Sequence, residues 1–146
     1  MLIGEGIRSA IAAKLKSIFL DVTVYKEKIE QGVRYPHFFI LPINTSHERD
    51  LGPRGWIYYQ VNIRYRLPQD FNSKYGELEQ MGTDLMWALD TITVAGFPLR
   101  GRDMNYQIVD GVLQFFINFR MRIKQEQEMK DKMETLTNSA EIKEED

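Results

Sequence analysis

The chain has no cysteine, which excludes disulfides, thiolate metal sites and cysteine nucleophiles. It has two histidines, His37 and His47, too few to build a three-ligand zinc site without help from elsewhere. None of the serines sits in a GxSxG context, and no Walker-type loop is present. Gly4-Glu5-Gly6 neither follows a strand nor continues to a third glycine, so it fails as a dinucleotide fingerprint. No apolar run approaches the roughly 18 residues of a membrane helix. The first residues lack the pattern of a secretory signal, so synthesis and folding in the cytoplasm are expected. A strong basic excess is missing too: the formal net charge is −2. The carboxylates are scattered and cannot be paired in an enclosed cleft. No catalytic residue, metal ligand or cofactor-binding residue is therefore assigned, and no cofactor is expected.

What is present is a soluble, globular composition, 43% hydrophobic and 27% charged over 146 residues, enough for one domain with a real core. The clearest signal is the stretch 104–123, MNYQIVDGVLQFFINFRMRI. Asp110-Gly111 is a favoured pair for a two-residue hairpin turn, because both positions need positive φ. Folding there sets Val109 opposite Val112, Ile108 opposite Leu113, Tyr106 opposite Phe115 and Met104 opposite Ile117. Alternation along a strand then gathers Met104, Tyr106, Ile108, Leu113, Phe115, Ile117, Phe119 and Met121 on one apolar face. Asn105, Gln107, Gln114, Asn118, Arg120 and Arg122 lie on the other.

In chain order, Ile3, Ile7, Ile11, Leu15, Ile18 and Phe19 recur at helical spacing over residues 2–19. A short strand is expected at 22–25 and another at 36–43, whose prolines belong at its ends or on a side without a ladder. Residues 44–55, NTSHERDLGPRG, read as a long polar loop. Residues 56–66 alternate: Ile57, Tyr59, Val61, Ile63 and Tyr65 against Trp56, Tyr58, Gln60, Asn62, Arg64 and Arg66. Ser73 is placed to cap a second helix, whose stripe is Leu78, Met81, Leu85, Leu89 and Ile92, with Trp87 on roughly the opposite side. A small strand is expected near Ile92. The fold class that follows is α+β: an antiparallel sheet of about four main strands, with two helices packed on one face. The domain occupies residues 1–123. Residues 124–146 form a polar tail with four lysines against eight acids, helix-friendly at first and then disordered in expectation.

The residues admit three function classes. His47, with Glu48 and Asp50, suggests half of a metal site, but no third ligand is spaced to complete it. The sheet face with Arg64, Arg66, Arg120 and Arg122 beside Tyr58 and Phe116 resembles, in outline, single-strand or RNA-binding sheets. It lacks their aromatic-glycine signatures, and exposed strands often carry such residues simply to stay wet. An interaction protein accounts for more: Arg49, Arg54 and Trp56 around one loop, and Trp87 on a wet helix face, are residue types enriched at interface hot spots.

Val24-Tyr25, Glu27, residues 29–32 (IEQG), Pro36 and residues 38–40 (FFI) lead to Arg49, the strand 59–65, Tyr106 and residues 108–113 (IVDGVL). In this order and spacing the chain resembles the tail-terminator proteins of long-tailed bacteriophages, particularly those of contractile-tailed prophages in Gram-positive bacteria. The resemblance covers about residues 7–123 and leaves out the acidic tail. It implies an α+β subunit in a hexameric ring that binds the last ring of tail-tube protein and stops tube growth. The ring would present a surface to the head connector or neck and could contact the uppermost sheath subunits. No cofactor and no membrane are implied. The protein would assemble in the host cytoplasm and end in the virion tail. On this reading Arg49, Arg54, Trp56 and Trp87 are interface candidates. Arg64, Arg66, Arg120 and Arg122 could instead line the lumen, making at most sequence-independent contact with DNA phosphates.

Overall fold

Asp110 and Gly111 both take positive φ, 53° and 75°, and the hairpin they make is the centre of the sheet's second half. The structure is a computed structural model that describes residues 3–27, 32–68 and 75–124. Its elements are α1 (Ile3–Ile18), β1 (Thr23–Tyr25), β2 (His37–Arg49), β3 (Arg54–Arg66), α2 (Tyr75–Ala88), β4 (Thr91–Val94), β5 (Phe97–Arg100), β6 (Arg102–Val109) and β7 (Val112–Lys124). The main sheet runs β1-β2-β3-β7-β6, and β4-β5 form a separate two-stranded sheet.

The α+β class is as expected: four long antiparallel strands, with helices on one face. Two details differ. β1 is a fifth, short strand and pairs parallel with β2, so the sheet is mixed rather than a pure meander. The apolar pieces around Gly96 make a β4-β5 hairpin, turned at Ala95 and Gly96 with φ of 52° and 83°.

Register in the central hairpin runs as read, Val109 to Val112 and Tyr106 to Phe115, as far as Asn105 to Phe116. Beyond that the ladder shifts, and Arg102 meets Asn118. Asp103 and Met104 therefore stand opposite Ile117 alone, with Asp103 at φ 53°. This bulge displaces the simple Met104–Ile117 pairing. Asp103 holds it: its carboxylate accepts from Asn118 Nδ2 at 3.1 Å and its carbonyl from Asn105 Nδ2 at 3.2 Å.

The core lies between the helices and the odd-numbered face of β3 and β7. Ile7, Ile11 and Leu15 of α1, and Leu78 and Leu85 of α2, are fully buried with Phe38, Ile40, Val61, Ile63, Leu113, Phe115, Ile117 and Phe119. Each such side chain contributes roughly 1.5–3 kcal/mol by leaving water. Ile18 departs from the expected stripe; it is 46% exposed at the helix end. α1 packs on β1, β2 and β4, and α2 on β6 and β7. Gly82 lets α2 approach β6 closely: a Cβ there would fall 2.7 Å from the Tyr106 ring.

The expected long loop is the main correction. Residues 44–49 and 54–55 are strand, paired from Asn44–Gln60 to Arg49–Gly55, and only 50–53 turn. Asp50 N–H donates to the Arg54 carbonyl at 2.9 Å, and Gly52 takes φ 68°. Pro42 is tolerated within β2 because the ladder shifts between it and Asn44. Strand here is hidden from hydrophobic periodicity because residues 42–54 are all exposed and cover no core. The expected Ser73 cap and nearly all of the acidic tail lie outside the described residues.

Candidate interaction surfaces

The ends of β2, β3 and β7 run on together past the core as a three-stranded arm. Along β3 the even-numbered side chains share one face, and the register brings Glu48 beside Trp56, Trp56 beside Arg122, and Tyr58 beside Arg120. Trp56 is the hub. The Arg120 guanidinium lies 4.5 Å and that of Arg122 4.9 Å from its ring centroid. Arg122 also pairs with Asp50 at 3.0 Å. Tyr58 donates its hydroxyl to Glu48 Oε1 at 2.7 Å, a bond that, with the negative charge of Glu48, raises the phenol's pKa above its ordinary value.

Only part of the expected grouping survives. Trp56 and Arg54 share a face by alternation, but Arg49 pairs with Gly55 and so falls on the other one. Gly55 itself is dictated by packing: a Cβ would meet His47 Nε2 at 2.8 Å and the Glu48 carbonyl at 2.9 Å. Glu48, Asp50 and Tyr58, which the sequence offers in other settings, join the Trp56 group here. Register, not residue type, makes them neighbours of Trp56, and the register of 44–55 was hidden by reading it as a loop.

The four arginines of the polar sheet face form two groups. Arg64 lies opposite Gln114, six residues along β3 from the Tyr58–Arg120 pair, about 20 Å away at the strand rise. Arg64 Nε donates to Asn62 Oδ1 at 2.9 Å, and Asn62, buried on the otherwise wet face, donates to the Phe115 carbonyl at 3.3 Å. Arg66 stands beside His37. His37 is buried among Tyr25, Tyr35 and Phe39, with Nδ1 3.0 Å from the Arg34 carbonyl and Nε2 unpartnered. Burial lowers its pKa below the usual histidine value, the Arg34 bond opposes this, and the charge of Arg66 adds to the lowering. It is a buried, hydrogen-bonded histidine.

Trp87 is 79% exposed on α2, as its helical angle required. With Ile18, Phe19, Asp84 and Ala88 it lines an open depression of about 360 Å³. Among the described residues no cluster of three metal-binding side chains occurs, around His47 or elsewhere. Among the described residues no helix is long and apolar enough to cross a membrane. The Trp56 face is occupied by two guanidinium groups, which leaves it poorly placed to stack nucleobases as an RNA-binding sheet would.

A family model described as "Phage tail terminator protein" matches residues 6–131. No curated protein matches the chain. One solved structure is similar at a TM-score of 0.44 and 17% identity, over 82% of this chain and 94% of the other, a likeness too slight to bear on function.

Proposed function

The chain belongs to the phage tail terminator family, and from its structural role in a phage tail we propose that it caps the tail tube as a closed hexameric ring. The ring stops tube polymerisation and offers its outer surface to the head connector. The protein works by shape and contact surface rather than by bond-making chemistry. It assembles in the host cytoplasm and remains in the virion tail.

The observation that carries this reading is the arm. Strands β2 and β3 continue in register to Arg49–Gly55, and β7 follows β3 to Lys124, yet residues 42–54 bury nothing against their own core. Ordering backbone costs roughly 1–2 kcal/mol per residue, so a built strand with no core beneath it supports contact outside the subunit. Closed rings require a heterologous contact, in which one surface meets a different surface on the next copy. The arm offers Arg54, Trp56 and, on its reverse side, Arg49; the helix layer offers the Trp87 depression. Tube, neck and sheath proteins take the faces that ring closure leaves open. Arg64, Arg66, Arg120 and Arg122 supply non-specific phosphate attraction if the polar sheet face looks into the lumen.

Mass photometry of the protein, alone and with the tail-tube protein, tests the ring. The expected species has six times the 17.2 kDa of one chain, either free or on the tube. A protein that stays monomeric in both conditions refutes it. A lumen role adds weak DNA binding that collapses between low and moderate salt.

A further inference from the structure

We propose that the arginine–tryptophan face of the arm is a docking site for acidic peptide, and that its occupant is this chain's own residues 125–146. The face is built for carboxylates. Arg120 and Arg122 lie against Trp56 at 4.5 and 4.9 Å, and a guanidinium binds a carboxylate bidentately through its N–H fork. Stacking also fixes the two forks in advance, so less side-chain freedom is lost when a carboxylate arrives. Arg122 already accepts one such partner, Asp50, at 3.0 Å. Arg120 has no carboxylate partner among the described residues.

Charge and tether select the occupant. Arg54, Arg120 and Arg122 outnumber Glu48 and Asp50 on this face, while residues 125–146 carry eight acids against three lysines. β7 ends at Lys124, two residues beyond Arg122, so the acidic segment starts at the edge of the basic face. Its 22 residues span roughly 26 Å root-mean-square if they behave as a free chain. That exceeds the roughly 13 Å from Lys124 back to Arg120 along the strand. A tether of this length gives an effective concentration in the millimolar range, which a free anion must exceed to displace the segment. DNA is the weaker candidate, because Glu48 and Asp50 stand on the same face and repel a continuous run of phosphates. Other acidic partners compete with the segment for the same face. The inference does not depend on ring closure.

Trp56 reports directly on occupancy of the face once the other tryptophan is silent. In the full chain carrying Trp87→Phe, quenching of Trp56 fluorescence by neutral acrylamide is compared with the same chain whose eight acids in 125–146 are changed to Asn or Gln. Two charge-assisted guanidinium–carboxylate contacts together give a Kd of about 1 mM, comparable with the effective concentration, so about half the molecules are occupied and neutralisation should raise the quenching constant about twofold. Salt at about 0.5 M should bring the unmodified chain to the same value. Equal quenching of the two chains at low salt overturns the proposal. Protection that grows with protein concentration overturns the assignment to the chain's own segment and gives it to a neighbouring copy. Protection that appears only when duplex DNA is added overturns it in favour of phosphate.

Discussion

Trp56→Ala separates what the arm does for the subunit from what it does for assembly. The substitution removes the ring under two guanidinium groups, 4.5 and 4.9 Å from its centroid. Each contact is worth about 0.5–1 kcal/mol at a partly exposed site. The Arg122–Asp50 pair, whose side chains are 44% and 39% exposed, loosens with it, a loss of at most about 1 kcal/mol. The total is about 2 kcal/mol, which lowers Tm by about 4–8 °C for a domain of this size. Truncating a fully buried ring should cost more: Phe115→Ala, at a side chain with no exposure, should lose about 3–5 kcal/mol. Thermal unfolding followed by circular dichroism measures both. The account predicts a folded Trp56→Ala subunit with native secondary structure that no longer supports tail completion. A loss as large as that of Phe115→Ala would show that the arm belongs to the cooperative core. An unchanged Tm would show that the stacked arginines contribute nothing.

Two glycines should respond in opposite directions to alanine. At Gly101 a Cβ would lie 2.5 Å from the Leu89 carbonyl oxygen and 2.6 Å from Ile117 Cδ1, and the resulting overpacking should cost about 1–3 kcal/mol. At Gly76, in α2 with nothing within 4 Å, the same change should stabilise by about 0.4–1 kcal/mol; urea midpoints for the two variants check the sign. Because the folded state holds the His37 pKa below its unfolded value near 6.5, the unfolded chain takes up that proton first as pH falls. Stability from this site is therefore full above about pH 6.5 and declines as pH falls from there toward the lowered pKa. His37→Phe should flatten the dependence of Tm on pH below about 6.5, and an unchanged slope would contradict the assignment.

Much of the body was legible because its core writes a period into the sequence. Phe115, Ile117 and Phe119 alternate with polar neighbours, and Ile7, Ile11 and Leu15 recur by helical turns, so element type and buried face followed directly. The turn at Asp110-Gly111 was legible because few dipeptides accept two positive φ values in succession. The arm was not. His47, Glu48 and Arg49 have no core to face, so nothing in their polarity distinguishes strand from loop. Their pairing comes from continuation of the neighbouring ladder, a tertiary fact. The bulge at Asp103 was hidden for a related reason: an aspartate at positive φ is tolerated rather than signalled. Trp56 and Trp87 were recognisable as candidates by type. Which side chains would surround Trp56 depended on the arm's register, and so lay beyond a reading of residues in order.

Electron microscopy of tails from phage lacking this protein, or carrying Trp56→Ala, tests the central claim most directly. A subunit that ends tube growth and joins tail to head predicts tubes of irregular, mostly excessive length without heads attached. Complete virions with tails of normal length in its absence would contradict it.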